Sequence, residues 1–234
     1  MILSHRHKFI FFCNGKTGTT SIENSLERLD EGKRYTFNAT GLFIPKHIAP
    51  VIVRGMLPRE IWKTYFKFVF VRNPYAWVVS QWKYNFRLAP QPARNVSPAT
   101  AARVKALNSR VIGGRRIADL AAREAFSMDD IEVLFAYLRD NFRSVPYADG
   151  KYQSSYVVDL DGQQVVDLVG RFETLAQDYT AIARKLGLDP ELPHVNRTEH
   201  RDFRSYYSPV AAAAVARLWK ADFDVLDYPT ALPA

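Results

Sequence analysis

The chain has 234 residues, with 32 lysines and arginines against 24 aspartates and glutamates, a formal charge of +8, and 47% hydrophobic residues. That composition is globular and excludes disordered, collagen-like and low-complexity classes; the length suits one domain, because single cores stop growing only beyond roughly 250 residues. The positive balance suits a phosphate-rich ligand, an acidic polymer or nucleic acid, and carries no information about fold.

In chain order, Phe9-Ile10-Phe11-Phe12-Cys13 is the first apolar run, closed by Asn14-Gly15. It reads as a strand buried on both faces of a parallel sheet, with a ligand expected at its C-terminal end. The run is too short for a signal peptide or a membrane span, and no other segment approaches ~20 apolar residues. Cys13, the only cysteine, cannot form an internal disulfide, which points to a reducing, cytoplasmic setting. Ile22, Leu26 and Leu29 follow at the spacing of a helix with one buried face.

Residues 48 to 62 read as helical, punctuated by Pro45 and Pro58. Phe66-Lys67-Phe68-Val69-Phe70-Val71 is the second strong strand, ending in Arg72-Asn73-Pro74, where Asn can cap and Pro can open a helix over residues 75 to 86. The aromatic residues Tyr75, Trp77, Trp82, Tyr84 and Phe86 on that helix read as core and not as a platform for bases, and nucleic acid is excluded as a partner because the basic residues are dispersed. Residues 88 to 98 form a proline-rich loop, and 99 to 143 form two or three helices, one over 129 to 142, without recognisable chemistry. Asp161-Gly162 between residues 155–160 and 163–169 predicts a β-hairpin. Leu175, Tyr179, Ile182 and Leu186 mark a helix stopped by Gly187, and Ser208-Pro209 opens a last helix to about Phe223.

The chemistry concentrates in Asn14-Gly15-Lys16-Thr17-Gly18-Thr19-Thr20-Ser21, between a buried strand and a helix N-terminus. There, backbone N–H groups, hydroxyls and one ammonium can converge on an anion. A nucleoside-triphosphate P-loop would need Gly at the position of Ile10, and an Asp for Mg²⁺ where Arg72 ends the second strand, so the match to such NTPases is partial and a further phosphate suits Arg72 better than a metal. Ser80 lies two helical turns beyond Arg72, about 12 Å along the axis, so both grip one ligand only if it lies along them.

Lys16-Thr17-Gly18-Thr19-Thr20-Ser21 followed by Arg72-Asn73-Pro74 and Ser80 resembles the two nucleotide-binding signatures of sulfotransferases that use 3′-phosphoadenosine 5′-phosphosulfate (PAPS). Lys46-His47, Gly170-Arg171-Phe172-Glu173, Pro193-His194-Val195-Asn196-Arg197-Thr198 and the stretch from Asp222-Phe223 to Asp227-Tyr228 are similar to the carbohydrate and membrane-type branch, sulfotransferase family 2, and only 88 to 150 is unmatched. The resemblance implies an α/β fold of P-loop type, a mostly parallel sheet with helices on both faces, and makes 99 to 143 an acceptor-side insertion. It implies that Lys16, Thr17, Gly18, Thr19, Thr20 and Ser21 hold the 5′-phosphosulfate, Lys16 also neutralising the departing phosphate. Arg72 and Ser80 would hold the 3′-phosphate, and a loop bearing Arg197 would add contacts to it. His47 would be the general base and Lys46 its helper, with a hydroxyl, on a saccharide or glycoconjugate, as acceptor. Trp77 departs from the second signature, which often has another Arg there.

The competing readings are a P-loop kinase and a non-catalytic polyanion-binding module. The cradle has a plainer reading as a helix-capping turn, and His47 as a structural histidine. Arg171 and Glu173 read as an ion pair outside the site, His194 as a loop-packing residue, and His5-x-His7 lacks the further ligands of a metal site, so no metal is expected. Asn-x-Ser/Thr triplets at Asn38, Asn95 and Asn196 carry no weight without an export signal.

Overall fold

The computed structural model describes residues 1–32, 46–87, 97–141, 152–192 and 201–233. The chain folds into two compact units, one of Met1–Pro74, Phe142–Glu199 and Trp219–Tyr228, the other of Tyr75–Asn141, His200–Leu218 and Pro229–Ala234.

The first unit is built on a four-stranded sheet, β1 (Ile2–Ser4), β2 (Phe9–Phe12), β3 (Phe66–Val71) and β6 (Leu168–Arg171), in the order β1-β2-β3-β6. β2, β3 and β6 run parallel, in register through Phe11 opposite Phe68 and Phe70 opposite Gly170, while β1 is an antiparallel edge. The near-continuous apolar runs of β2 and β3 follow from burial on both faces. On one face Phe9, Phe11, Cys13, Phe68 and Phe70 pack with Ile22 and Leu26 of α1 (Thr19–Leu26) and with Tyr179, Ile182 and Ala183 of the helix Leu175–Leu186 (α8 in chain order). Each of these phenylalanines contributes about 1.5–3 kcal/mol on burial, so the two central strands anchor the unit. The opposite face includes Phe12, its ring 6.3 Å from that of Trp62. Residues 48 to 62, expected as one helix, are two, α2 (Pro50–Met56) and α3 (Arg59–Thr64), parted at Leu57-Pro58 because proline disfavours α backbone in the residue before it.

The hairpin expected around Asp161-Gly162 is corrected. Only Gly162 has a positive φ, the antiparallel pairing shrinks to one bridge between Val158 and Gln164, and Ser154–Tyr156 is a 3₁₀ turn. Leu168–Arg171 instead lies parallel beside β3. A two-residue turn signal cannot report that the strand after it has a better partner from far upstream.

The second unit contains α4 (Pro74–Asn85) from Tyr75 onward, α5 (Pro98–Asn108), a short hairpin of β4 (Val111–Ile112) and β5 (Arg115–Arg116), α6 (Ile117–Ala121), α7 (Met128–Asn141) and α9 (Pro209–Leu218). Tyr75, Trp77, Trp82 and Phe86 are buried as expected of core, and the Trp82 indole donates to the Leu120 carbonyl at 2.9 Å. Tyr84 departs from that expectation, lying exposed under the Arg87 guanidinium. The last helix, expected to run to about Phe223, breaks at Trp219 and resumes in the first unit as α10 (Lys220–Leu226).

Candidate functional site

β2 ends at Phe12 and the chain turns at once. The Asn14 N–H donates to the Phe12 carbonyl at 3.1 Å, and its side-chain amide donates to the Phe70 carbonyl at 3.0 Å, which ties the loop to the end of β3. The Thr17 hydroxyl donates back to the Asn14 carbonyl at 2.8 Å, closing the loop on itself. Lys16 takes a left-handed backbone, φ 68°, at a cost of roughly 1–2 kcal/mol for a residue with a Cβ; such strain clusters at functional sites.

Gly18 is the N-cap of α1 with φ 79°. A Cβ there would lie 2.7 Å from Leu175 Cδ2 and 3.2 Å from Phe172 Cδ2, so the loop packs against the start of α8 as only glycine allows. Having no side chain, Gly18 itself gives the first amides of α1 no side-chain cap, and no acidic residue stands in the first turn. A helix N-terminus of this kind favours an anion through its oriented N–H groups and the helix dipole. Thr17, Thr19 and Ser21 are buried and Thr20 is exposed.

Arg72 follows β3 directly. Its Nη1 donates to the Lys16 carbonyl at 3.4 Å and its guanidinium lies 4.1 Å from the centre of the Phe172 ring, so the cation predicted at the second strand end stands beside the loop predicted as an anion cradle. His47 is also beside it, its Cε1 3.8 Å from where a Gly15 Cβ would sit. The imidazole is half-buried and its Nδ1 is 2.7 Å from the Cys13 carbonyl. A carbonyl only accepts, so Nδ1 carries the proton and Nε2 the lone pair. Burial pushes the His47 pKa below the ordinary histidine value; the Cys13 carbonyl opposes that and Lys46 adds to it. A neutral imidazole with a basic Nε2 follows.

Sequence reasoning missed three residues that organise this site. Glu23, on α1, accepts from the Cys13 thiol at 3.2 Å and pairs with Lys46 at 2.5 Å, and so tethers the ammonium next to His47. Cys13 itself is a buried thiol pushed up to about 12, chiefly by burial, and is inert at neutral pH. Gln153 clasps the backbone of Arg72, and Asp222 holds the turn that carries Gln153. Only Asp222 had a signal, its place in the C-terminal family signature; Gln153 is an uncharged residue in a serine-rich stretch and had none.

Ser80 is half-buried on α4 in the second unit, whereas residues 16 to 21, His47 and Arg72 belong to the first. Arg197, with His194 and the rest of 193 to 198, lies outside the described residues, as do Asn38 and Asn95. The ion pair expected between Arg171 and Glu173 is corrected, because each engages the C-terminal stretch separately. Glu173 accepts from the Asn73 N–H and the Tyr228 hydroxyl, both at 2.8 Å, and Arg171 donates to the Leu226 carbonyl at 3.0 Å. His5 meets the Tyr65 hydroxyl at 2.6 Å and His7 the Leu186 carbonyl at 3.4 Å, which are structural contacts. No helix among the described residues is long and apolar enough to cross a membrane.

The profile of the sulfotransferase family matches residues 1–229 of the chain. No curated protein and no solved structure matches it.

Proposed function

The chain belongs to the sulfotransferase family, and from that premise we propose that it moves a sulfuryl group from PAPS to a hydroxyl of a saccharide or glycoconjugate. The observation that carries the donor assignment is the meeting of two features 56 residues apart: a helix N-terminus whose N-cap is glycine, preceded by Lys16, and the Arg72 guanidinium within 3.4 Å of that loop's backbone. One anion site formed by amides and a second formed by a guanidinium fit a nucleotide phosphorylated at two positions.

The donor supplies the sulfuryl group. Backbone amides of residues 17 to 20 and the hydroxyls of Thr19, Thr20 and Ser21 bind its 5′-phosphosulfate, while Thr17, whose hydroxyl is spent inside the loop, contributes through its amide. The Lys16 ammonium stabilises negative charge on the phosphate as it leaves. Arg72 binds the 3′-phosphate. Ser80 and Arg197 are candidates for a nucleotide contact by their place in the sequence signatures alone. His47 Nε2 takes the proton of the acceptor hydroxyl while that oxygen forms its bond to sulfur and the bond from sulfur to the bridging phosphate oxygen breaks. Lys46, steadied by Glu23, orients the acceptor beside it. The cytoplasmic setting belongs to the same reading and rests on the single cysteine.

The test is release of 3′-phosphoadenosine 5′-phosphate from PAPS in the presence of a panel of saccharides and simple phenols. Wild type turns over with saccharides, and Lys16→Ala lowers the rate by about 100-fold or more. Turnover with phenols alone would overturn the acceptor class, and no turnover with any acceptor would overturn the function.

A further inference from the structure

We propose that Gln153 is a positioning residue that sets the Arg72 guanidinium for the donor's 3′-phosphate, through a buried relay from Asp222 to the backbone on both sides of the Arg72 Cα. The inference rests on the donor assignment above and adds the machinery behind it.

Arg72 lies one residue past the last pair of the β3–β6 ladder, Val71 opposite Arg171. Its backbone N–H and C=O therefore need partners from outside the sheet. Gln153 provides both, its Oε1 accepting from the Arg72 N–H at 2.8 Å and its Nε2 donating to the Arg72 carbonyl at 2.8 Å. This is what a neighbouring strand would do, performed by one side chain. A primary amide is the group that carries a donor and an acceptor in one plane; a carboxylate would set a lone pair against the carbonyl, and Lys or Arg has no acceptor.

Gln153 is fully buried, and its own backbone is fixed. Its N–H lies 3.0 Å from each carboxylate oxygen of Asp222, and the Ser154 N–H and hydroxyl donate to Asp222 Oδ1 at 2.9 and 2.7 Å. Asp222 is itself fully buried on α10. Burial of a carboxylate is unfavourable unless its lone pairs are filled, and here the turn at Ser154–Tyr156 fills them. The relay thus runs from a buried carboxylate through a turn and an amide to the two peptide planes that flank the Arg72 Cα. Together those planes set the direction in which the Arg72 side chain leaves the backbone, and the Phe172 ring holds its far end. With both ends fixed, the guanidinium meets a phosphate without first losing rotamer freedom, which is how preorganisation raises affinity.

The experiment compares calorimetric binding of 3′-phosphoadenosine 5′-phosphate and adenosine 5′-phosphate in wild type, Gln153→Met and Asp222→Asn at one pH and ionic strength, with thermal melting of each protein. Wild type prefers the 3′-phosphorylated nucleotide. Gln153→Met, which keeps the side chain's length and removes both bonds, reduces that preference by about tenfold or more while affinity for adenosine 5′-phosphate is kept. Asp222→Asn reduces it in the same direction and by less, and decides the matter if Gln153→Met does not fold. An unchanged preference in the folded variants, or equal weakening for both nucleotides, overturns the relay and leaves the donor assignment standing. A wild type without preference for the 3′-phosphate overturns the donor assignment and the relay with it.

Discussion

The ends of β2 and β3 and the helical stretch from 98 to 141 satisfy their polar groups in opposite ways. At the strand ends, buried side chains bond to backbone: Asn14 to the Phe70 carbonyl, Gln153 to both groups of Arg72, and Asp222 to the amides of Gln153 and Ser154, while the exposed Glu173 accepts from the amide of Asn73. In the helical stretch, charged side chains pair with one another near the surface, Arg115 with Asp129 at 3.2 Å, Arg116 with Asp119 at 3.3 Å and Arg139 with Asp140 at 3.1 Å. Asp130 combines both patterns, buried and accepting from the Ser127 amide and hydroxyl, both at 2.9 Å, while also pairing with Arg115 and, at 3.4 Å, with Arg123. Buried bonds to a peptide fix where a neighbouring side chain starts, while exposed ion pairs between long side chains fix little and are worth about 0–1 kcal/mol. The difference separates a region whose backbone is fixed by buried side chains from one that tolerates change.

The comparison breaks most visibly at His47. His47→Ala lowers kcat by about 10²–10⁴-fold with donor affinity kept within about twofold. Because burial holds the imidazole below its ordinary value of 6.5, the wild-type rate falls on acidification only below that pH, and the variant loses this limb. A normal kcat would make His47 a structural residue and narrow the difference between the two regions.

A smaller effect is expected at Asp222, whose carboxyl burial raises from 3.8 to about 6 against the opposing hydrogen bonds of Ser154 and Gln153. For a raised acid, the associated stability is fully present below about pH 4 and is lost as pH rises through about 6. Asp222→Asn cannot ionise, so the denaturant midpoint of wild type falls relative to the variant between those pH values. A gap that stays constant with pH would mean a solvated carboxylate, like those of the helical stretch. The smallest effect sharpens the other side. Arg116 and Asp119 are 69% and 49% exposed, and Arg116→Ala changes stability by less than about 0.5 kcal/mol. A loss several times larger would show that the surface pairs act as a network.

The same contrast decides what the sequence could disclose. β2, β3, α1 and α8 were legible because each carries a period or an apolar run of its own, α4 because Asn73-Pro74 opens it, and Gly187 does stop α8 with φ 66°. The places of the loop at 14 to 21 and of Arg72 were legible because each directly follows an apolar strand. The three-residue β1 is too short for a period, and β6 is defined by a partner about 100 residues upstream. The β4–β5 hairpin did have a signal, the pair Gly113-Gly114 with φ 55° and 76°, as its tight turn requires. Gln153 and Glu23 act through a backbone and a neighbouring ammonium supplied by distant segments, and no local pattern reports such partners.

The donor site is the claim on which the rest depends, and calorimetric binding of 3′-phosphoadenosine 5′-phosphate against ATP with Mg²⁺, in wild type and Arg72→Ala at one ionic strength, tests it most directly. The account predicts metal-independent binding of the 3′-phosphorylated nucleotide that weakens roughly 10- to 100-fold in the variant. Preference for ATP with Mg²⁺, or equal binding by wild type and Arg72→Ala, would contradict it.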